Sequence, residues 1–538
     1  MTDEPHVFWA DEVADEIEAT DPDEPIVIKG GISPSGVPHL GNANEIVLGH
    51  FVAEVLRERG WNVVQVFTTD DRDPLRSLPR TLATADGELV SLGDVDAGAL
   101  GRNLGAPYTE IPNPFDSPYD SYGDHFSALI ERSATALGID MELVSTSELY
   151  ESGRLDGAIR TVLEQRQAAI ELLAEFQDHV DPDDVPFSPI CSNCGKLTTT
   201  VTGVDLDADS VAYRCTELQA GDQTIEGCGH EDISDLRRGK LPWRFEWVAQ
   251  WAVLGVDFEP FGKDHAEGSW PSGVAIAEHI FGIEPPVPFV YEWFTLDGEP
   301  FSSSSGHVVM VEDVLRFVEP AVLRYFFARD PTRAHDLSID RIDQLVDAFD
   351  RFEAIYFGEI DATVRETERA ERIYPFLTEA VSPGRVRIPY RFAAVLGMTD
   401  DPAERERIAR AEGHIPADAP DWAVSEALER VDRARSWAAH VDNEYNYEIR
   451  RSSIPDVEID AATDAALREV ADVLASGADG ETVQGAIYEA ARNHEVAVAD
   501  LFATGYRLFF GRPDGPKLGP LLAKLDREFA VARLRRTD

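Results

Sequence analysis

The clearest pattern of apolar and polar positions lies between residues 26 and 60. Residues 26–28 (IVI) form a short apolar run, which predicts a parallel strand covered on both faces. Residues 30–39, which we call the glycine–proline turn, exclude a regular element, and residues 45–60 then show a helical apolar period. Backbone N–H groups and the helix dipole face such a turn, so this order of elements predicts an anion site, with His39 as a donor to phosphate oxygens. An ordinary glycine-rich connection of an α/β fold would look the same.

Further patterns extend the α/β interpretation toward residue 176. Residues 5–20 have the apolar period of an amphipathic helix, and residues 63–67 read as a second strand. The acidic run that begins at Asp70 and Asp71 follows that strand, at the edge where ligands bind in open α/β sheets. A salt-bridged loop is the alternative. Residues 81–120 lack a period and indicate an insertion, whereas residues 125–139 and 155–176 each predict one helix.

Aromatic residues mark the next part of the chain. Trp243, Trp247 and Trp251 recur at four-residue spacing, which predicts a helix that packs them in the core. The run Lys263-Asp264-His265 follows a strand-like segment and is either a capped helix start or the opposite wall of a nucleotide pocket. A strand over 289–293, four serines at 302–305 and a helix over 311–318 come next, and beyond residue 340 the period is helical almost throughout.

Length and composition limit the protein class. A chain of 538 residues should hold roughly three or four domains, and 43% hydrophobic residues suffice for sizeable cores. No apolar run approaches the ~20 residues of a membrane span, and no cationic segment precedes an apolar one at the N-terminus. We therefore expect no membrane partner and a cytoplasmic location.

The four cysteines fall in residues 186–232, which we call the cysteine module. Their order is Cys191-x2-Cys194, then Cys215 and Cys228. Four thiolates in this order predict a small zinc-ribbon-like insertion with a structural Zn²⁺. Cys215 and Cys228 are loosely spaced, so His230 is an alternative fourth ligand. The alternative to a metal site is a module whose four cysteines are reduced and purely structural.

The net charge of −52 is spread over the whole chain. Of 48 basic residues only six are lysine, which leaves 42 arginines. This is the pattern of adaptation to molar salt, where the Debye length falls to about 3 Å and self-repulsion is screened. The charge consequently does not exclude RNA as a partner, because shape, stacking and local arginine contacts still operate.

The segment Pro38-His39-Leu40-Gly41-Asn42 resembles the HIGH signature of class I aminoacyl-tRNA synthetases, with His39 and Asn42 in place of its histidines. Together with TDDRDPLRSLPR, WRFEW, VDFEPFGKDH, YEWF and SSSSGHV, it resembles the successive blocks of class I lysyl-tRNA synthetases. The resemblance is dense from about residue 5 to residue 357 and weaker at the C-terminal end.

This resemblance implies an α/β Rossmann-type catalytic domain (1–310, including the cysteine module), a stem-contact helical region (311–360) and an all-α anticodon-binding domain (361–538). It also implies ATP with Mg²⁺, L-lysine and tRNA(Lys) as substrates and partners. The lysine carboxylate would attack the α-phosphate to give lysyl-adenylate and pyrophosphate, after which the aminoacyl group passes to the 2′-OH of the terminal ribose. Positioning and charge stabilisation would supply most of the catalysis.

Site residues follow from the same resemblance. It implies catalytic roles for His39, Asn42, Ser302, Ser303, Ser304 and Ser305. It implies ATP binding by Pro34, Gly36, His39, Gly41, Asn42, Lys263, Asp264, His265 and Ser305. It implies lysine binding by Gly31, Ser33, Trp243, His265 and Tyr291. An ε-ammonium requires a carboxylate or an aromatic face, and Asp70, Asp71, Glu246 and Glu292 are the candidate carboxylates, among which the sequence does not choose.

The serine run departs from the family pattern. Alignment on Gly306 puts Pro300 and Ser305 where the lysines of a KMSKS-type motif are expected, and no lysine lies between Lys263 and Lys517. We expect Mg²⁺, K⁺ and a nearby arginine to supply the missing charge. A class I synthetase for another amino acid and a catalytically silent tRNA-binding paralogue remain as alternatives.

The helical C-terminal half offers residues suited to stacking on unpaired bases. Each is also a candidate for the hydrophobic core. They are Tyr390, Arg391, Trp437, Tyr445 and Tyr447.

Overall fold

A computed structural model of the chain describes residues 6–537 except 178–179, 222, 301–307, 379–381, 453–454 and 456. The chain divides into two compact units. The first comprises Met1–Val314, Pro320–Ser338 and Asp361–Glu379, and the second comprises Leu315–Glu319, Ile339–Ile360 and Ala380–Asp538. Within the described residues, no helix is both long enough and apolar enough to cross a membrane.

A five-stranded parallel sheet forms the centre of the first unit, as the apolar runs predict. Its strand order is Val287–Tyr291, Phe258–Gly262, Ile26–Ile32, Val63–Thr69 and Glu142–Ser145. The middle strand pairs in parallel with both neighbours, in a register that places Gly30 opposite Phe67 and Ile28 opposite Phe258. Because all five strands run in the same direction, their carboxyl ends meet at one edge, where the glycine–proline turn begins.

Helices cover both faces of this sheet. Their bounds in the first unit are Trp9–Ala19, Leu40–Glu58, Ala97–Arg102, Tyr122–Ala136, Thr146–Glu151, Asp156–Glu164, Arg166–Ala174, Trp243–Leu254, Lys263–Ala266, Ser269–Ile276, Val311–Leu315, Pro320–Phe327 and Val364–Ile373. The predicted tryptophan helix is confirmed, since Trp247 and Trp251 are buried. Short strand pairs occur at Thr81–Ala83 with Leu89–Ser91 and at Phe294–Leu296 with His335–Leu337.

Three predicted elements have different bounds in the structure. The single helix over 155–176 is wrong, because Gln165 (φ −100°, ψ 18°) leaves helical geometry and separates two helices. The helix predicted over 311–318 ends at Leu315, shortly before Pro320 begins the next helix. The strand predicted over 289–293 is shifted to Val287–Tyr291, in register with Phe258–Gly262.

The cysteine module is built from antiparallel strands. Thr199–Asp205, Ser210–Cys215 and Glu231–Asp235 form a three-stranded sheet, and Glu217–Ala220 pairs with Gln223–Glu226. Tyr213 packs among Cys191, Cys194 and Cys215 in a small separate core. Other apolar side chains of the module, among them Phe187 and Val211, pack instead into the large core of the first unit.

In the described residues the second unit contains helices and no strands. The helices are Ile342–Tyr356, Tyr390–Leu396, Pro402–Ala411, Asp421–Val441, Ala461–Ala475, Gly480–Asn493, Val498–Phe510, Leu518–Lys524 and Arg527–Arg535. Ile339–Ile360 belongs to this second unit, whereas Asp361–Glu379 belongs to the first unit. There Arg372 bonds Asp11 (2.6 and 2.8 Å), and the ring of Phe376 stacks on Phe8.

The stacking candidates of this unit occupy different environments. Tyr390 and Trp437 are buried with ring centroids 5.4 Å apart, so the core interpretation is confirmed for both. Arg391 forms an exposed ion pair with Asp343 (2.6 Å). Tyr445 and Tyr447 are half-buried, and the guanidinium of Arg512 lies 5.2 Å from the Tyr447 ring.

A buried arginine joins three segments of the second unit. Arg430, 5% exposed, donates two parallel hydrogen bonds to Asp350 (2.7 and 2.9 Å) and one to Glu319 (2.7 Å). Bidentate geometry of this kind gives the strongest ion pairs that proteins form. The pair fixes the helix Asp421–Val441 against the helix Ile342–Tyr356.

We expect Arg430→Met to destabilise this unit by about 3–5 kcal/mol, because two largely buried carboxylates lose their partner. The measurement is urea unfolding in molar KCl, followed by circular dichroism. Arg468→Met is the control, since its ion pair with Asp464 is exposed and should contribute only about 0.3–0.5 kcal/mol. Equal unfolding midpoints for the two variants would contradict the structural role of Arg430.

Candidate active site at the carboxyl edge of the sheet

A cavity of about 540 Å³ opens at the carboxyl ends of the parallel strands. We call it the main cavity. Its wall combines the glycine–proline turn, the start of the following helix and the loop after Phe258–Gly262. The predicted site residues that line it are Gly31, His39, Gly41, Asn42, Asp264, His265 and Tyr291. The tertiary structure thus brings together three sequence blocks that are far apart in the chain.

His39 and Asn42 meet at the N-terminus of the helix Leu40–Glu58. The backbone N–H of His39 donates to Oδ1 of Asn42 (2.9 Å), which fixes the Asn42 side chain over the first turn of the helix. Burial lowers the pKa of His39 to about 4, so its imidazole is neutral at neutral pH. A neutral imidazole N–H and the positive end of the helix dipole together suit an anion.

Glu45 is a site residue that sequence reasoning missed. It lines the main cavity one turn into the same helix, where its Oε1 accepts the N–H of Gly31 (2.9 Å) and its Oε2 accepts the hydroxyl of Tyr291 (3.3 Å). Burial raises the pKa of Glu45 to about 8. The signal was available, because Glu45 is the only acid between residues 40 and 53 of an otherwise apolar helix.

A buried ion pair lies beneath this carboxylate. Nζ of Lys29 is 2.7 Å from Oε1 of Glu259, and both side chains are almost fully buried. Trp247 and Trp251 donate their indole N–H groups to the two oxygens of Glu259. The buried pair joins the neighbouring strands Ile26–Ile32 and Phe258–Gly262 and leaves Glu45 as the carboxylate exposed to the cavity.

The loop that begins at Lys263 forms the opposite wall. His265 lies 5.4 Å from Trp243, centroid to centroid, and that indole stacks on Trp247. Lys263 forms an ion pair with Glu292 (2.5 Å) and lies 4.8 Å from the Trp293 ring centroid. The helix Lys263–Ala266 begins here, so this segment is a helix start and also part of the cavity wall.

Two predicted carboxylates are buried away from this wall. Oδ1 of Asp71 accepts the N–H of Ser147 (2.7 Å) at the start of the helix Thr146–Glu151. Oδ1 of Asp70 accepts from the Gln250 amide (3.0 Å). Their hydrogen-bonding capacity is thereby used largely within the protein.

A third predicted carboxylate, Glu246, belongs to a buried network. Its two oxygens bond Nζ of Lys240 and the hydroxyl of Tyr150 (2.6 Å). Lys240 also contacts Asp73 (3.1 Å), whose other oxygen accepts the hydroxyl of Ser33 (2.6 Å). These contacts connect Ser33 of the glycine–proline turn, through Asp73 and Lys240, to the buried side chain of Glu246.

The remaining predicted residues lie elsewhere. Ser33 and Gly36 line a neighbouring cavity, and Pro34 is buried in the same turn. Ser302, Ser303, Ser304 and Ser305 fall outside the described residues, as does the side chain of Pro300.

The four cysteine sulfurs form one cluster, with all Sγ atoms within 4.8 Å of one another. Cys191 and Cys228 are 3.6 Å apart, and Cys194 and Cys215 are 3.7 Å apart. Tetrahedral Zn²⁺ with Zn–S bonds of about 2.3 Å requires sulfurs about 3.8 Å apart, so the cluster fits that ion. His230 is bonded instead through its backbone to Cys215 (2.8 Å).

Comparison with known proteins agrees with this architecture. The chain is 63% identical over 98% of its length to the lysine–tRNA ligase of Halobacterium salinarum and covers 97% of that protein. It is 60% identical to the lysine–tRNA ligase of Haloarcula marismortui (99% and 97% covered) and 31% identical to that of Pyrococcus horikoshii (98% and 99% covered). The first two organisms are halophiles, which fits the acidic, arginine-rich composition.

A family model described as "tRNA synthetases class I (K)" matches residues 7–379. This range contains the whole parallel sheet, both walls of the main cavity and the cysteine module. The chain belongs to the class I (K) family of tRNA synthetases.

Proposed function

We propose that the protein is a lysine–tRNA ligase that activates L-lysine with ATP and transfers it to tRNA(Lys). The observation that carries this proposal is the Glu45 carboxyl group, which lines the same cavity as the helix N-terminus with His39 and Asn42. Glu45 lies one helical turn beyond Asn42 on that helix. The lysine–tRNA ligases at 57–63% identity support the same substrate.

ATP binding is assigned to the turn and the loop that face each other across the main cavity. The helix N-terminus with His39 and Asn42 would receive phosphate oxygens, and Asp264 with His265 would hold the nucleotide from the opposite wall. Mg²⁺, K⁺ and a nearby arginine would neutralise the departing pyrophosphate, because the serine run carries no lysine. The neutral imidazole of His39 would act as a hydrogen-bond donor and not as an acid.

Recognition of the ε-ammonium is assigned to Glu45 and Tyr291. Glu45 is accessible from the cavity, whereas Asp70, Asp71 and Glu246 are buried and already bonded, and Glu292 is paired with Lys263. A carboxylate with a pKa of about 8 ionises when a cation binds, so the pocket stabilises its charge only with the correct substrate present. Ammonium binding would therefore release a proton near neutral pH.

The other assignments follow from family membership. The helical residues 361–538 would contact the anticodon, and residues 311–360 would contact the acceptor stem. The cysteine cluster would bind one structural Zn²⁺ through Cys191, Cys194, Cys215 and Cys228, in a zinc-ribbon-like insertion.

The first test is ATP–pyrophosphate exchange in molar KCl with each of the twenty amino acids, with and without tRNA. We expect exchange with lysine alone and a loss of about 100-fold or more in the His39→Ala variant, since a phosphate donor is removed. Exchange with a different amino acid would identify another class I synthetase. Silence with every amino acid would indicate a tRNA-binding paralogue.

The second test changes the ammonium site. Glu45→Gln should raise the KM for lysine about 10- to 100-fold with little change in the KM for ATP, because one charge-assisted bond is lost. In the unmodified protein, the KM for lysine should fall up to about tenfold per unit between pH 6 and 8, as the Glu45 carboxyl ionises. Lys29 and Glu259, the charged groups that lie beside Glu45, are bonded to each other (2.7 Å).

The matched control for this test is Glu54→Gln on the same helix, where the glutamate is exposed and paired with Arg57. Its KM for lysine and its pH profile should equal those of the unmodified protein. A Glu45→Gln variant that retained the pH dependence of the unmodified protein would rule out Glu45 as the titrating group.

The third test concerns the metal. Purified protein should contain about one zinc per chain, Cys194→Ser should lose it, and His230→Ala should retain it, as four thiolates complete a tetrahedral site. Metal content by atomic absorption and the thermal unfolding midpoint are the two measurements. Full zinc retention in Cys194→Ser, or loss in His230→Ala, would overturn the ligand assignment.

A further inference from the structure

A second cavity, of about 700 Å³, lies on the other side of the glycine–proline turn. We call it the arginine cavity. It shares the turn with the main cavity, since Gly31 and Ile32 line the main cavity whereas Ser33, Ser35 and Gly36 line the arginine cavity. The rest of its wall is the segment from Asp73 to Thr81, together with Tyr108. Its size lies within the range of ligand-binding pockets in proteins.

Two exposed arginines in this cavity carry no ion pair. Arg76 and Arg80 both line it, and among the described residues neither forms a salt bridge with a carboxylate. Arg72, just before this segment in the chain, is by contrast buried and paired with Glu151 (2.9 Å). Arg76 lies close enough to Asp73 for an electrostatic interaction with its carboxylate. That carboxylate is, however, already bonded to Lys240 and Ser33.

The remaining lining offers both hydroxyls and apolar contacts. Ser33, Ser35 and Ser77 supply hydroxyl groups, and Pro74, Leu78 and Pro79 supply an apolar side on which Leu78 is 36% exposed. Unpaired guanidinium groups recognise phosphate oxygens, hydroxyl groups suit a ribose, and an apolar face suits a base. The combination matches a nucleotide at the end of a nucleic-acid strand.

The turn between the two cavities is held in place. The hydroxyl of Tyr122 donates to the carbonyl of Ser35 (2.8 Å), and Ser33 is fixed by Asp73 and, through it, by Lys240. A group bound in the arginine cavity is consequently separated from the main cavity only by the turn residues. An acceptor strand bound in the arginine cavity would therefore lie next to the cavity assigned to lysine and ATP.

We propose that the arginine cavity receives the 3′-terminal nucleotides of the tRNA, with Arg76 and Arg80 binding their phosphates. The proposal rests on the proposed lysine–tRNA ligase function and adds the place of entry of the acceptor strand. Free pyrophosphate shares the phosphate chemistry, so the test separates the two ligands.

The experiment is a double-mutant cycle on tRNA binding in molar KCl, with lysylation of intact tRNA measured alongside. Arg76→Ala with Arg80→Ala should raise the dissociation constant for tRNA about 10- to 100-fold, while the KM values for ATP and lysine at saturating tRNA stay within twofold. Removal of the terminal CCA nucleotides should weaken binding of the unmodified protein similarly, yet have no further effect on the double variant. The control is Arg102→Ala with Arg214→Ala, which removes the same charge from exposed, paired positions.

Three results would overturn the proposal. The first is that the protein change and the RNA truncation have additive effects on the free energy of tRNA binding. The second is that the double variant binds tRNA as tightly as the unmodified protein, with a normal thermal unfolding midpoint. The third is a selective rise in the inhibition constant of added pyrophosphate, which would indicate a product site. Under the same conditions the unmodified protein must lysylate intact tRNA. If it does not, the proposed ligase function fails, and this outcome is distinct from a failure of the arginine-cavity proposal.

Discussion

The buried ion pair between Lys29 and Glu259 is the interaction on which the site depends. It joins two adjacent parallel strands whose pairing partners are 230 residues apart in sequence, with the insertion, several helices and the cysteine module between them. Removal of two charges from water is costly, and only good geometry offsets it. Here the indole N–H groups of Trp247 and Trp251 complete the bonding of Glu259, so the strand ends that carry both cavity walls are fixed relative to each other.

Three of the six lysines of the chain lie beneath or beside the cavities. Lys29 and Lys240 are buried under the cavities, and Lys263 forms part of the loop next to the main cavity. Elsewhere the composition favours arginine, which carries a larger, planar cation with bidentate geometry. A compact ammonium fits a narrow space between carboxylates, as Lys240 does between Asp73 and Glu246, where a guanidinium would need more room.

The charge that each cavity presents to a ligand depends on which carboxylates are not already bonded within the protein. Of the acids that sequence position suggested for lysine binding, Asp70, Asp71 and Glu246 serve the interior, and Glu292 holds Lys263. Glu45 is accessible from the main cavity, and within the described residues neither Arg76 nor Arg80, in the neighbouring cavity, has an ion-pair partner. The glycine–proline turn thus separates the cavity lined by Glu45 from the cavity lined by these two arginines.

The sequence by itself determined the elements and the family. Residues 26–28 predicted the central strand, the tryptophan spacing predicted its helix, and the blocks around His39 and Lys263 predicted a nucleotide site, because local apolar periods and turn residues follow from short-range sterics and burial. Only the tertiary structure decided which side chains reach a cavity. Glu45 and Glu246 are both glutamates on helices near the turn, yet one faces the main cavity and the other is enclosed by Lys240 and Tyr150. Their difference arises from strand register and long-range packing, which no local pattern encodes.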